Sequence, residues 1–233
     1  MLFVHGAGGG ADLWRYQTAY FPGSVAVELP GHPRGQGFQT IEDYAGWVRG
    51  YVNAREIAPV VLVGHSMGGA ICQWLAIEHP EMLRGLVLVS TGARLRVNPQ
   101  IFQALEGDYE KAVDFMLESS FGPRAPAQLR QEGKRLRLKV PRVIVQGDYR
   151  ACDKFDIMDR VKSIAAPTLI VSGTEDVMTP AKYAQYLQSQ IGGSRLEQIH
   201  GAGHNVMLEN PAEFNQVLER FLNSLEKEGH DPQ

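Results

Sequence analysis

One serine lies where a buried strand pattern changes into a helix pattern, and this junction constrains the fold more than any other stretch. Residues 60–63 (VVLV) are apolar and mostly β-branched, which is typical of a strand buried on both faces. Apolar residues then recur at helical spacing from residue 70 to Pro80. In the intervening segment GHSMG, glycines stand two positions before and two after Ser66. Since so tight a turn leaves no room for larger side chains there, the pattern predicts that Ser66 is a nucleophile held above the sheet.

Strand and helix patterns alternate along most of the chain. Strand patterns cover residues 1–5, 25–29, 60–63, 85–90, 167–172 and 195–200, and helical patterns cover residues 11–20, 40–51, 70–78, 180–190 and 211–226. This alternation predicts an α/β fold with a parallel sheet and helices on both faces. The last residues, 229–233, are expected to fray.

One long segment interrupts the alternation. From residue 91 to residue 166 there is no strong strand pattern, only four amphipathic helical segments that begin near residues 98, 108, 127 and 142. We interpret residues 92–166 as a helical insertion within the sheet order. Residues 1–91 and 167–233 would then form one core.

Composition restricts the class of protein. An apolar fraction of 44% and a charged fraction of 21% are ordinary for a soluble globular protein, and the net charge of −3 favours no nucleic-acid partner. The 2 cysteines are too few for a disulfide framework, no apolar run is long enough for a membrane span, and no secretory signal pattern is present. No residue cluster has metal-ligand spacing. We therefore expect a cytoplasmic protein without a metal, an organic cofactor or a membrane partner.

A serine nucleophile needs a base, and the base needs an orienting acid. Asp176 follows the strand pattern at residues 167–172, and His204 follows the one at residues 195–200. Loops at the carboxyl ends of parallel strands meet at one edge of the sheet, and the order Ser66, Asp176, His204 is a known order for such a triad. Glu175 is the alternative acid, although its side chain would point differently.

Other histidines compete with His204 for the role of base. His200 ends a strand pattern and fits a structural role better. His79 precedes a proline at a helix end, and His230 is in the tail. The side chain of His65 is expected on the other side of the turn. His204, in a loop with two nearby glycines, is therefore the predicted base.

Hydrolysis through a serine also needs two N–H donors for the oxyanion. The Met67 N–H, at the start of its helix, is one candidate. The second is the Ala7 N–H in the glycine-rich loop GAGGG at residues 6–10, whose backbone can approach a substrate closely. His5 fits a role in bracing this loop better than a role as a second base.

The same loop permits a competing interpretation. Residues 6–11 fit the dinucleotide-binding pattern G-x-G-x-x-A after a strand, and Glu28 ends the next strand pattern, where a ribose-binding acid belongs. However, the segment after Glu28 is a Pro-Gly-His loop of the wrong kind, and nothing in that scheme requires the turn at Ser66. A dinucleotide-binding oxidoreductase is therefore only a distant alternative.

Taken together, five segments resemble the α/β-hydrolase superfamily: HGAGG at 5–9, ELPGH at 28–32, GHSMGG at 64–69, GTED at 173–176 and GH at 203–204. The resemblance implies an esterase-like hydrolase in which residues 92–166 form a cap over the active site. Members usually carry two further strands before the first of these segments. By analogy the sheet here has six parallel strands, with residues 25–29 near an edge. An exposed apolar edge invites pairing, so we expect a tail or a second copy of the chain there, as in a homodimer.

The cap implied by this resemblance would supply the walls of an apolar acyl pocket. The predicted substrate-binding residues are Phe115, Met116, Phe121, Ile144, Val177 and Val206, with Met158 and Met178 as further candidates. The alternative for each of these residues in the insertion is that its side chain only packs the cap helices against one another. A basic run, Lys134, Arg135, Arg137, Lys139 and Arg142, is either a solvated helix face or an attractor for an anionic substrate.

The predicted reaction is hydrolysis of a small to medium, mainly apolar carboxylic ester through an acyl-enzyme. Since one fold supports many chemistries, an enol-lactonase, a thioesterase or a C–C bond hydrolase would use the same three side chains. A catalytically silent ligand receptor is disfavoured because all three side chains are present.

Overall fold

The sheet of the computed structural model, which describes residues 1–228, has six strands. They are β1 (Leu2–Val4), β2 (Val25–Ala26), β3 (Val60–His65), β4 (Leu83–Val89), β5 (Thr168–Gly173) and β6 (Arg195–Ile199). All neighbouring strands pair in parallel, in the order β2-β1-β3-β4-β5-β6. The predicted α/β fold with a six-stranded parallel sheet is confirmed. The predicted fraying of the tail and the candidate base His230 lie outside the described residues.

Helices cover the sheet. Outside the insertion they are α1 (Arg15–Tyr20), α2 (Ile41–Ala54), α3 (Met67–Glu78), α8 (Ala181–Gln190), α9 (Val206–Glu209) and α10 (Pro211–Glu228). Every residue of β3 is buried, which explains its uninterrupted apolar sequence. The Thr40 hydroxyl caps α2 by accepting a hydrogen bond of 3.2 Å from the Asp43 N–H.

Two elements near the amino terminus are shorter than predicted. A 3₁₀ turn (Ala11–Trp14) precedes α1, so the predicted helix over residues 11–20 is only partly α-helical. The strand predicted over residues 25–29 is reduced to β2 because the Leu29 N–H donates to His5 Nε2 at 3.1 Å instead of to the sheet.

The edge position predicted for residues 25–29 is observed, since β2 is the outermost strand beside β1. The edge is nevertheless short and little of its apolar surface is open. Val25 is 38% exposed, whereas Val27 and Leu29 are 2% and 1% exposed. Less apolar surface is therefore exposed at this edge for pairing with a second copy of the chain than we expected. The homodimer stays a prediction.

Four helices lie between β4 and β5 in the chain, where the sequence predicts an insertion. They are α4 (Pro99–Glu106), α5 (Tyr109–Ser120), α6 (Ala127–Arg137) and α7 (Arg142–Lys154). Asn98 and Asp108 cap α4 and α5 with their side chains. Helix α4 packs against α5 and α7, and α5 packs against α6. No helix within residues 1–228 is both long enough and apolar enough to span a membrane.

Candidate active site

Ser66 occupies the turn between β3 and α3 in a conformation that L-residues rarely adopt. Its φ is 53° and its ψ is −117°. A side chain at Gly64 would clash with the Gly68 backbone, and a side chain at Gly68 would clash with the backbone of Val4. The Ser66 N–H donates to the Val89 carbonyl at 2.9 Å, which ties the turn to β4. The surrounding sheet therefore holds the strained serine in one orientation.

Asp176 lies in the loop after β5 and is 5% exposed. Its Oδ1 accepts the N–H groups of Met178 and Thr179, both at 2.9 Å, and its Oδ2 accepts the Thr179 hydroxyl at 2.7 Å. Burial by itself would raise the pKa of Asp176, but the charge and hydrogen bond of His204 and the bonds from Thr179 lower it to about 2. Asp176 is thus a fixed carboxylate, whereas the alternative acid Glu175 is exposed.

His204, in the loop after β6, points its Nδ1 at this carboxylate. The distance from His204 Nδ1 to Asp176 Oδ2 is 2.9 Å, and the histidine is 4% exposed. An ionised carboxylate only accepts, so Nδ1 carries the proton and Nε2 is the basic nitrogen. His204, Ser66 and Ala7 line one cavity. Among the described residues, the Ser66 hydroxyl makes no hydrogen bond.

Two further histidines brace the site. The Nε2–H of His65 donates to the His204 carbonyl at 3.0 Å, and the centroids of these two rings are 4.7 Å apart. The expectation that the His65 side chain lies on the other side of the turn is therefore wrong. His5 Nδ1–H donates to the Gly6 carbonyl at 2.9 Å. Burial lowers the pKa of His65 well below its usual value, and burial, assisted by His32, lowers that of His5 to about 3. Both rings are neutral supports.

The N–H groups of the two predicted oxyanion donors have no acceptor among residues 1–228. Met67 is the first residue of α3, a position whose N–H has no acceptor within the helix. Ala7 lines the cavity, and its N–H makes no hydrogen bond among residues 1–228. The neighbouring Gly8 N–H donates to Asp148 Oδ2 at 2.8 Å, which ties this loop to α7.

Asp148 is a residue that the sequence reasoning missed. It is fully buried and accepts hydrogen bonds from the Gly8 N–H, from His32 Nε2 at 2.8 Å and from the Tyr44 hydroxyl at 2.7 Å. Burial lowers the pKa of His32, but the hydrogen bond and charge of Asp148 outweigh it, so that pKa is raised. Nothing in the sequence distinguishes Asp148 from the other acids of the helical segments.

The cavity at Ser66 has a volume of about 190 Å³. Of the predicted substrate-binding residues, Phe115, Met116 and Val177 line it. The other three do not, because packing directs them elsewhere. Phe121 lines a separate cavity of about 90 Å³. Ile144 packs against Gly31 and Gly37, and Val206 is fully buried. Of the further candidates, Met178 lines the cavity at Ser66 and Met158 does not.

The structure adds cavity residues that the sequence reasoning did not select. They are Leu95, Arg96, Val97, Asn98, Ile101, Ser119, Ser120, Tyr149, Cys152, Tyr183 and Asn205. Burial raises the pKa of the Cys152 thiol, which makes it a poor rival nucleophile. Of the basic run at residues 134–142, only Arg137 lines this cavity. Within residues 1–228 no group of His, Cys, Asp and Glu side chains is arranged to hold a metal ion.

A parallel sheet that brings a strained serine turn, an aspartate loop and a histidine loop to the carboxyl ends of its strands is the architecture of α/β-type hydrolases. The sequence profile of the Alpha/beta hydrolase family matches residues 1–217. The chain belongs to this family.

Known structures and sequences of similar proteins agree with this assignment. The structure of a thermophilic esterase is similar over 96% of this chain and 89% of its own, with 35% identity and a TM-score of 0.86. The structure of Est816, described as an N-acyl homoserine lactone degrading enzyme, covers 94% of this chain and 92% of its own with 29% identity and a TM-score of 0.85. Strigolactone esterase D14 from Arabidopsis thaliana is 25% identical over 95% of this chain and 91% of its own sequence.

Proposed function

We propose that this α/β hydrolase cleaves a carboxylic ester through an acyl-enzyme formed on Ser66. The observation that carries the proposal is the buried Asp176–His204 pair, whose imidazole lines the same cavity as the strained serine. This arrangement provides a nucleophile, a base and an orienting acid within one small volume.

His204 carries the proton in each step of the proposed reaction. His204 Nε2 takes the Ser66 proton as the hydroxyl attacks the ester carbonyl, and it returns this proton to the departing alkoxide. Asp176 stays ionised throughout and stabilises the imidazolium, in keeping with its lowered pKa. Water then attacks the acyl-enzyme while His204 Nε2 takes a proton from it; the bond between the acyl carbon and Ser66 Oγ breaks, His204 returns the proton to Ser66 Oγ, and the carboxylic acid leaves. The hydrogen bond between Ser66 and His204 forms as substrate binds, since catalytic hydrogen bonds are often long or absent in a free enzyme.

The Ala7 and Met67 N–H groups are the proposed donors to the oxyanion. Neither has an acceptor in the part of the chain that the structure describes, and Asp148 holds the loop that carries Ala7 through the adjacent Gly8 N–H. Backbone donors that are fixed in advance stabilise the negative charge that develops on the carbonyl oxygen.

Helices α4–α7 act in this proposal as the cap that closes the cavity. Phe115 and Met116 come from α5, and Val177 comes from the loop after β5. These side chains provide apolar walls for the acyl group. The Asn205 side chain donates to the Ser120 carbonyl at 2.9 Å, which joins the carboxyl end of α5 to the histidine loop.

Lactone hydrolysis is the second candidate. A lactone is a cyclic ester, so the same groups would open it by the same steps. The similarity to Est816, at 29% identity over nearly the whole chain, favours including lactones among the substrates. A dinucleotide-binding oxidoreductase is no longer a candidate, because the chain belongs to the α/β hydrolases.

The experiment is turnover of a panel of 4-nitrophenyl esters and lactones by wild type, Ser66→Ala and a control variant, Ser189→Ala, at an exposed serine on α8. We expect Ser66→Ala to lower kcat by about 10⁴-fold or more and to abolish labelling by a fluorophosphonate, with the melting temperature retained. Ser189→Ala should match wild type. Near wild-type turnover by Ser66→Ala would refute the proposal.

A further inference from the structure

The cavity at Ser66 has an uneven charge. Two arginines, Arg96 and Arg137, line it, and within residues 1–228 no Asp or Glu side chain does. Arg96 is exposed, and its Nη1 donates to the Asp153 carbonyl at 2.8 Å. Arg137, at the carboxyl end of α6, is the partly buried cation of the pair.

Arg137 has only neutral partners. Its Nη1 lies 3.3 Å from the Tyr149 hydroxyl oxygen and 3.9 Å from the Met116 sulfur. Among the described residues no carboxylate oxygen lies within ion-pair distance of its guanidinium. Two neighbours on α6 differ from it: Lys134 pairs with both Glu110 and Asp114, and Arg135 lies 4.0 Å from Glu132.

Arg137 also borders the second cavity, where acidic side chains are present. The acid there that belongs to the same helix, Glu132, is bonded to Arg15 at 2.8 Å. A partly desolvated guanidinium without a counter-charge costs free energy, and bound anions offset that cost. The free donors of Arg137 are therefore available to a ligand.

Arg137 lies close to the proposed reaction centre. A methyl group placed on Gly8, next to the proposed oxyanion donor Ala7, would lie 3.3 Å from Arg137 Nη1. Ser66 and Arg137 share one cavity of about 190 Å³, so a ligand that contacts both must be short. The Tyr149 hydroxyl accepts from Arg137, and its own proton has no acceptor among residues 1–228.

From this geometry we propose that the substrate is a short ester or lactone with a free carboxylate, which Arg137 binds and the Tyr149 hydroxyl assists. A guanidinium matches the charge and the planar shape of a carboxylate, with which it can form two parallel hydrogen bonds. Phe115 and Met116 then contact the carbon chain between the two polar ends. The inference rests on the proposed function, since it names the substrate class of that same site.

The kinetic experiment compares monoethyl succinate, glutarate and adipate with the neutral ethyl esters of the same acyl length, by pH-stat titration of the released acid. We expect wild type to prefer at least one of the anionic esters by about tenfold or more in kcat/KM. Arg137→Gln should lose this preference, because its kcat/KM should fall far more on the anionic esters than on the neutral esters. Arg135→Gln, two residues away on α6 and largely exposed, is the matched control and should behave as wild type.

A binding experiment separates this inference from the proposed function. Succinate, glutarate and adipate are titrated calorimetrically into wild type, Arg137→Gln and Arg135→Gln, with no bond cleaved. At least one dicarboxylate should bind wild type and Arg135→Gln at least about tenfold more tightly than it binds Arg137→Gln.

The outcomes are distinct. Turnover of neutral esters, with neither a preference for the anionic esters nor dicarboxylate binding, would overturn the inference and leave the hydrolase proposal standing. Arg137-dependent binding without turnover of any ester would support carboxylate binding by Arg137 and overturn both the hydrolase proposal and the assignment of an ester substrate. An equal loss on neutral and anionic esters in Arg137→Gln would assign Arg137 to oxyanion stabilisation instead.

Discussion

Among the described residues, two buried histidine–aspartate pairs have nearly equal distances between nitrogen and carboxylate oxygen and different surroundings. Nδ1 of His204 lies 2.9 Å from Asp176, and Nε2 of His32 lies 2.8 Å from Asp148. His204 lines the cavity at Ser66. The side chains of His32 and Asp148 are fully enclosed, and Asp148 joins the Gly8 loop, Tyr44 and α7. A short bond between the two residue types therefore does not by itself define a catalytic pair.

The two pairs also differ in whether the histidine has a ring nitrogen left to accept a proton. His204 has one nitrogen free to act as a base once Nδ1 has donated to Asp176. Both nitrogens of His32 are occupied, since Nδ1 donates to the carbonyls of Leu29 and Pro30 and Nε2 faces Asp148. The hydrogen bond and charge of Asp148 raise the pKa of His32, and both ring nitrogens of His32 are occupied by hydrogen bonds. The enclosed pair therefore has a structural role, whereas the pair at the cavity includes the nitrogen that we propose as the base.

The largest expected effect is on catalysis by the pair at the cavity. Asp176→Asn should lower kcat for ester hydrolysis by about 10⁴-fold, because the imidazole loses its orienting charge and adopts the wrong tautomer. Glu175→Gln, at the exposed neighbouring position, is the matched control and should leave kcat unchanged. A greater loss in Glu175→Gln would mean that the acid has been misassigned.

The corresponding substitution in the enclosed pair should act on stability. Asp148→Asn is expected to lower the free energy of unfolding by about 3–5 kcal/mol, since it leaves His32 buried without its counter-charge. Urea denaturation measures this loss. Tyr44→Phe removes only one donor to Asp148 and should cost about 1–3 kcal/mol, less than Asp148→Asn. In Asp148→Asn kcat should fall far less than in Asp176→Asn; equal losses of kcat would erase the distinction between the pairs.

In acid, the pair at the cavity should weaken. The pKa of Asp176 is lowered to about 2, so its contribution to stability is complete above the unfolded value of about 3.9 and is lost as pH falls through 2. This contribution is about 2–3 kcal/mol at neutral pH. Unfolding free energies of wild type and Asp176→Asn, measured between pH 5 and pH 2, should converge over that window. Parallel curves would contradict the lowered pKa.

In alkali, the enclosed pair should lose part of its contribution to stability. We expect this loss to be smaller, because burial lowers the pKa of His32 and so opposes the increase caused by Asp148. The raised pKa of His32 means that its contribution is complete below the unfolded value of about 6.5 and is lost as pH rises through the folded value. Melting temperatures of wild type should therefore decline above neutral pH more steeply than those of His32→Gln. A steeper decline in the variant would reverse the sign and exclude this role.

Local features of the sequence were sufficient to predict the sheet and the loops that carry the candidate site. Three patterns depend only on residues that are close along the chain. They are the apolar run of β3, the glycines around Ser66 and the alternation of strand and helix patterns. They predict the parallel sheet and bring the loops of Ser66, Asp176 and His204 to its carboxyl edge. The end of β2 was misjudged, because the Leu29 N–H binds a side chain 24 residues away.

Residues that act through packing could not be predicted in this way. Arg137 and Arg135 are alike in sequence, and only the packing of α6 directs Arg137 into the cavity at Ser66. Phe121, Ile144 and Val206 are as apolar as the true wall residues, yet neighbouring elements place them elsewhere.

The sequence by itself determined the fold class and the three loops of the candidate site, because periodicity and turn sterics act over a few neighbouring residues. Only the tertiary structure decided which histidine–aspartate pair faces the cavity and which of Arg135 and Arg137 lines it. Those properties depend on burial and on contacts such as that between Asp148 and Gly8, which are 140 residues apart. Burial sets the cost of a charge, and the local sequence does not record it.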